Sequence, residues 1–184
     1  MVYVALLRGI NVGGKNKVDM KILKQTFEKA GMIDVVTYIN TGNIIFSNHS
    51  LSKEELSDTL AEAIYTDFGL QIKVLVRHID EVRQIMEAVP AAWKNDKTMK
   101  SDVMFLWEEV DDASILENLV IKPNIDTVTY VPGAVLWSVD KQHVTKSGMA
   151  RIVGTKAYKQ MTVRNVNTAR KIYELMQDHG GYGV

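Results

Sequence analysis

VTYINTGNIIFS, from Val36 to Ser47, is the stretch that decides how this chain folds. Two β-favouring runs, Val35 to Asn40 and Ile44 to Ser47, flank Thr41-Gly42-Asn43, which is the composition of a hairpin with its tip in TGN. Nearly the same letters return at VTYVPGAVLWS, Val128 to Ser138, with Pro132-Gly133 at the turn. Two like hairpins in one chain of 184 residues read as an internal duplication, although β-favouring residues also converge on such letters by composition alone.

Outward from the first hairpin, Val2 to Leu7 is an apolar run that reads as a buried strand. Asp19 stands where a helix cap belongs, Ile22, Leu23 and Phe27 recur at helical spacing, and Gly31 supplies the stop. Beyond the hairpin, Ser52 and Glu55 make a capping box for a helix carrying Leu56, Leu60, Ala63, Ile64 and Phe68 and closed by Gly69. Gln71 to Arg77 is a fourth strand. Strand, helix, strand, strand, helix, strand is the split βαβ order of a ferredoxin-like unit.

The second hairpin has a similar setting. A helix from Ile79 to about Ala88 ends before Pro90, and the polar stretch Lys94 to Ser101 reads as a linker. Asp102 to Trp107 is then a strand and Asp111 to Leu119 a short acidic-capped helix. After the hairpin, TKSGMARIVGTK, Thr145 to Lys156, reads as a short helix, and TVRNVN leads into a longer one from about Asn167 to Gln177. The expected class is α+β, with two similar ferredoxin-like halves: residues 1–92, residues 93–177 with the C-terminal helices, and a flexible tail over 178–184, DHGGYGV.

The first strand empties into a polar loop within ALLRGINVGGKN, Ala5 to Asn16. Paired Gly13 and Gly14 allow backbone N–H groups to converge on an anion, and Arg8 and Lys15 supply charge. The same glycines also suit a tight turn that holds no ligand. The stretch from Gly9 to Asn16 falls one residue short of a Walker A motif and puts Asn16 where Ser or Thr would bind magnesium. A P-loop helix would also begin at the Lys, whereas the cap signal, Asp19, comes later.

Apolar residues make up 46% and charged residues 24%, the composition of an ordinary globular chain. The formal net charge of zero is unevenly spread. Lys141 to Lys171 holds eight Lys and Arg residues and no Asp or Glu, Arg8 to Lys24 is basic except for Asp19, and Asp102 to Asp126 is acidic except for Lys122. Exposed lysines often do no more than solvate a surface. The absence of cysteine excludes disulfides and thiolate chemistry and fits a reducing cytoplasm, and neither a signal peptide nor a membrane span is evident. Scattered His49, His78, His143 and His179 have no metal-ligand spacing, and the expectation is no metal and no cofactor. No GxSxG elbow or Ser-x-x-Lys pair is present, so catalytic residues are not identifiable and the question of an enzyme stays open.

ALLRGINVGGKN near the N-terminus, TVRNVNTARK near the C-terminus and the TGN tip together resemble a family of uncharacterised, mostly bacterial proteins, domain of unknown function 1697. The resemblance implies an α/β fold of two similar halves and no assigned activity. From the residues themselves, the expected function is binding of a small phosphate- or carboxylate-bearing ligand in a cleft between the halves. Arg8, Asn11, Gly13, Gly14, Lys15, Asn16, Thr41, Asn43, Arg164 and Asn165 are the candidate contacts. An RNA- or single-strand-binding module is the alternative, and a protein-interaction domain without a small ligand is the second alternative. For Asn and Thr at loop tips, capping and turn-making are competing roles. No membrane partner is expected, and the oligomeric state is not legible.

Overall fold

A computed structural model of the chain describes residues 1–180. It divides into two compact units, one of residues 1–82 with the chain from Ile172 onward, the other Arg83–Lys171. The first unit contains β1 (Val2–Leu7), α1 (Met20–Lys29), β2 (Ile33–Tyr38), β3 (Asn43–Ser47), α2 (Lys53–Phe68) and β4 (Val74–His78), followed by α3 (Ile79–Ala88), which begins there. Its sheet is antiparallel with order β2-β3-β1-β4, the ferredoxin-like arrangement. Both helices start where side chains supply caps. Asp19 accepts from the backbone N–H groups of Lys21 and Ile22, and Ser52 and Glu55 form the reciprocal capping box. Gly69, at φ 65°, closes α2 in the left-handed conformation that a residue without Cβ adopts at little cost.

The period-2 alternation of the strands sends Tyr3, Ala5, Leu7, Ile44, Phe46, Val74 and Val76 to one face. There they pack with Leu23 and Phe27 of α1 and Leu56, Leu60 and Ile64 of α2. Phe46 lies between Tyr3, stacked at 5.8 Å, and Phe27, edge-on at 5.9 Å.

The second unit repeats this strand order with β5 (Met99–Leu106), β6 (Asp126–Val131), β7 (Ala134–Asp140) and β8 (Met161–Asn165) in an antiparallel sheet ordered β6-β7-β5-β8. The two halves are therefore alike in topology, as the hairpins suggested. Equivalent positions follow from register. Leu7 at the end of β1 donates its N–H to Gly42 O, and Leu106 at the end of β5 donates to Gly133 O, both at 2.9 Å. The two tip glycines have φ of 88° and 93°.

The letters VTY mislead before the turn. Tyr38 pairs with Asn43 across Ile39 to Gly42, whereas Val131 pairs with Ala134 across Pro132-Gly133. Val128 consequently packs against its unit's core as Val35 does, while Val36 is 40% exposed.

Several local expectations change. Asp111 to Leu119 and Lys141 to Arg151 form 3-10 turns rather than α-helices, and only Lys156–Lys159 is α-helical, α4. These segments are short and rich in Asp, Ser and Thr, whose side chains take up backbone N–H groups locally: Asp112 from Ser114, Asp140 from Gln142 and Ser147 from Met149. TVRN lies within β8, a strand not foreseen, and α5 runs from Val166 to Gly180. Asp178, His179 and Gly180 thus continue a helix instead of opening an irregular tail, and the rest of that expectation lies outside the described residues. The supposed linker is an ordered turn. Asp96 Oδ1 accepts from Thr98 N and Met99 N, and Asn95 and Asn167 exchange two hydrogen bonds.

Candidate functional site

At the end of β1 the chain passes a half-buried Arg8 and an exposed Gly9 into Ile10, 1% exposed and part of the first core. Ile10 anchors one side of the loop and Val18, 6% exposed, anchors the other. Between them lies a miniature hairpin. Asn11 N donates to Asn16 O and Lys15 N to Val12 O, both at 3.0 Å, and Gly13 and Gly14 occupy the two central positions with φ of 58° and 74°. Positive φ at both positions is the demand of a type I′ turn, which paired glycines meet without strain. The glycines therefore make a turn, and α1 begins only at Met20, so the segment is not a P-loop.

Asn11 clamps this loop to its surroundings. Its Oδ1 accepts from Val18 N at 2.8 Å, and its Nδ2 donates to Val18 O at 3.1 Å and to Asn40 O at 2.9 Å. Asn16 Nδ2 donates to Gly9 O at 2.9 Å, which closes the base of the loop. Asn43 is fully buried in the hairpin, where its Nδ2 donates to Tyr38 O and to Thr41 Oγ1, each at 3.0 Å. Gly42 cannot carry a side chain, because a Cβ there would stand 2.7 Å from Leu7 Cβ.

Beside the clamp, Asn11, Gly14, Lys17, Asp19, Lys21 and Asn40 line an open hollow of about 470 Å³. Two ammonium groups and one carboxylate leave it with a net positive charge. Because Asp19 already caps α1, the two lysines supply that excess.

Of the ten residues singled out from sequence, eight thus lie in the first unit, and Asn11 and Gly14 of these line the hollow. Arg164 and Asn165 lie in the second. Arg164 is 7% exposed on β8, where it donates to Thr162 Oγ1 and Val163 O, both at 2.9 Å. Burial lowers its pKa to about 10. Asn165 caps α5 by accepting from Thr168 N at 2.9 Å.

Lys17 and Lys21 stood in the basic segment but were not singled out. Their position two residues to either side of the cap Asp19 was the available signal. Sequence reasoning also missed Arg77. Like Arg164 it is buried in the last strand of its sheet and donates to the preceding carbonyl, that of Val76, and a helix follows directly. Among the described residues, no group of three His, Asp or Glu side chains could hold a metal ion, and no helix is long and apolar enough to cross a membrane.

The model of a family described as "Protein of unknown function (DUF1697)" matches residues 1–137. Among solved structures, a conserved bacterial protein, SP0830 from Streptococcus pneumoniae, is similar with a TM-score of 0.82 and 28% identity, covering 95% of this chain and 98% of its own. No curated protein matches.

Proposed function

We propose, for a chain that belongs to the DUF1697 family of unknown function, that the hollow at the start of α1 binds a small anion bearing a phosphate or carboxylate group. The observation that carries the reading is the pair Lys17 and Lys21 on a hollow of about 470 Å³ that holds a single carboxylate. Ammonium groups on flexible stems recognise phosphate as point charges. The turn at Gly13-Gly14 and the Asn11 clamp support the reading because they fix Asn11, Gly14 and Asn40 of the lining before any ligand arrives. The volume suits a phosphorylated metabolite or a nucleotide headgroup.

A thermal-shift screen of inorganic phosphate, pyrophosphate, nucleotides and sugar phosphates tests it. A ligand at about one hundred times its dissociation constant adds about 2.7 kcal/mol of stability. For a chain of this size that raises the melting point by about 5 to 11 °C. The double variant Lys17→Ala, Lys21→Ala should lose the shift and keep the unliganded melting point. A full shift in the double variant, or none with any of these anions in the wild type, contradicts the reading.

A further inference from the structure

The duplicated topology provides an internal comparison, because the crossover between third and fourth strands occupies the same place in both units. In the first unit it is α2, which carries Glu54, Glu55, Asp58, Glu62 and Asp67 against Lys53. In the second it is the run of 3-10 turns and α4 between β7 and β8, with Lys141, Lys146, Arg151, Lys156 and Lys159 and no acidic residue. The fold therefore does not require cations at this place.

Burial sorts the side chains of that segment. Met149, Ile152 and Ala157 enter the second core, while all five cations are exposed together with Gln142, His143 and Thr145. Among the described residues, Lys146, Arg151, Lys156 and Lys159 make no ion pair, and Lys141 Nζ donates to the carbonyl of Asp96. Two acidic side chains reach the segment, and the hydrogen bonds they accept there come from backbone and hydroxyl groups: Asp140 accepts from Gln142 N, and Asp126 from Ser147 Oγ and Gly148 N. Gly148 fits only without a side chain, since a Cβ would stand 1.4 Å from Val120 O. The cations thus project from a pinned backbone.

We infer that the exposed segment of the second unit from Lys141 to Lys159 is a contact surface for the phosphate backbone of single-stranded nucleic acid, built from other residues than the hollow at α1. Several unpaired cations beside amide, imidazole and hydroxyl donors suit a run of phosphates. An interfacial membrane contact would need an apolar face turned outward. Here the larger apolar side chains are buried or half-buried against the core, except for Val153, which is 72% exposed. Recognition is of charge rather than of bases, because the segment has no Phe or Trp and its one tyrosine, Tyr158, packs against the second core.

Fluorescence anisotropy of the full chain with a labelled oligo-dT, over a range of salt concentrations, tests this. Five phosphate contacts predict a slope of log affinity against log salt of about −3.5, at about −0.7 per contact on single strands. The triple variant Lys146→Gln, Arg151→Gln, Lys156→Gln should flatten that slope by about 2. Lys17→Ala, Lys21→Ala should leave it unchanged, so failure here is distinguishable from failure of the anion hollow. Three outcomes overturn the inference: no binding at low salt, an unchanged slope in a triple variant of wild-type melting point, or tighter binding to vesicles rich in phosphatidylserine than to the oligonucleotide.

Discussion

Asn11 joins three pieces of backbone with one side chain, and no other residue type of that size both donates and accepts in the required directions. Its φ of 53° lies in the left-handed region, which Asn tolerates better than most residues with a Cβ. Replacement by Ala removes three hydrogen bonds, leaves Val18 N without its acceptor and strains the backbone. At about 0.5–1 kcal/mol for each of these part-buried or exposed hydrogen bonds, plus about 1 kcal/mol of strain, Asn11→Ala should cost about 2.5–4 kcal/mol in urea unfolding. Lys17→Ala and Lys21→Ala, at exposed positions, should each stay within about 0.5 kcal/mol. The reverse order would make the lysines structural and the asparagine free to meet a ligand.

At the scale of elements, the recurring unit is a last strand with a buried arginine as its penultimate residue, followed at once by a helix: VRHIDEVR from Val76 and VRNVNTAR from Val163. Arg77 pairs with Val4 in the sheet and Arg164 with Val103, and each guanidinium donates to the carbonyl of the residue before it. Truncating a large buried side chain leaves a cavity and carbonyls without their donor, so Arg77→Ala and Arg164→Ala should each cost about 3 kcal/mol. A loss within about 0.5 kcal/mol at either position would mean that the two do not share a role.

This repeat also marks how far the sequence could be read. Capping residues, turn glycines and alternating strands are local signals, and Asp19, Ser52, Gly69 and the two hairpins were legible for that reason. β8 was not, because five residues containing Thr, Arg and Asn give no period, and only comparison with VLVRH would have exposed it. The 3-10 turns read as helices because their apolar spacing resembles one turn of either. In the loop, the paired glycines mark a backbone of positive φ, and the hydrogen bonds around them, Asn11 N to Asn16 O and Lys15 N to Val12 O, belong to a turn. The hollow itself depends on Asn40, which pairing brings beside Asn11 from 29 residues away.

Across the whole molecule, charge distinguishes halves that topology makes alike. The first crossover of the first unit contains Arg8, Lys15, Lys17, Lys21, Lys24 and Lys29 with Asp19 and Glu28, whereas its counterpart in the second contains Glu108, Glu109, Asp111, Asp112 and Glu117 with Lys122. The second crossovers reverse those signs. A net charge of zero is thus the sum of opposed surfaces, and it says little about which anions the chain can meet. Backbone amide NMR during titration with pyrophosphate tests the proposed anion site most directly, because it reports position as well as binding. The account predicts saturable shifts at Gly14, Lys17, Lys21 and Asn40 that vanish in the Lys17→Ala, Lys21→Ala variant. Shifts elsewhere with none at those four amides, or no saturable shift at all, would contradict it.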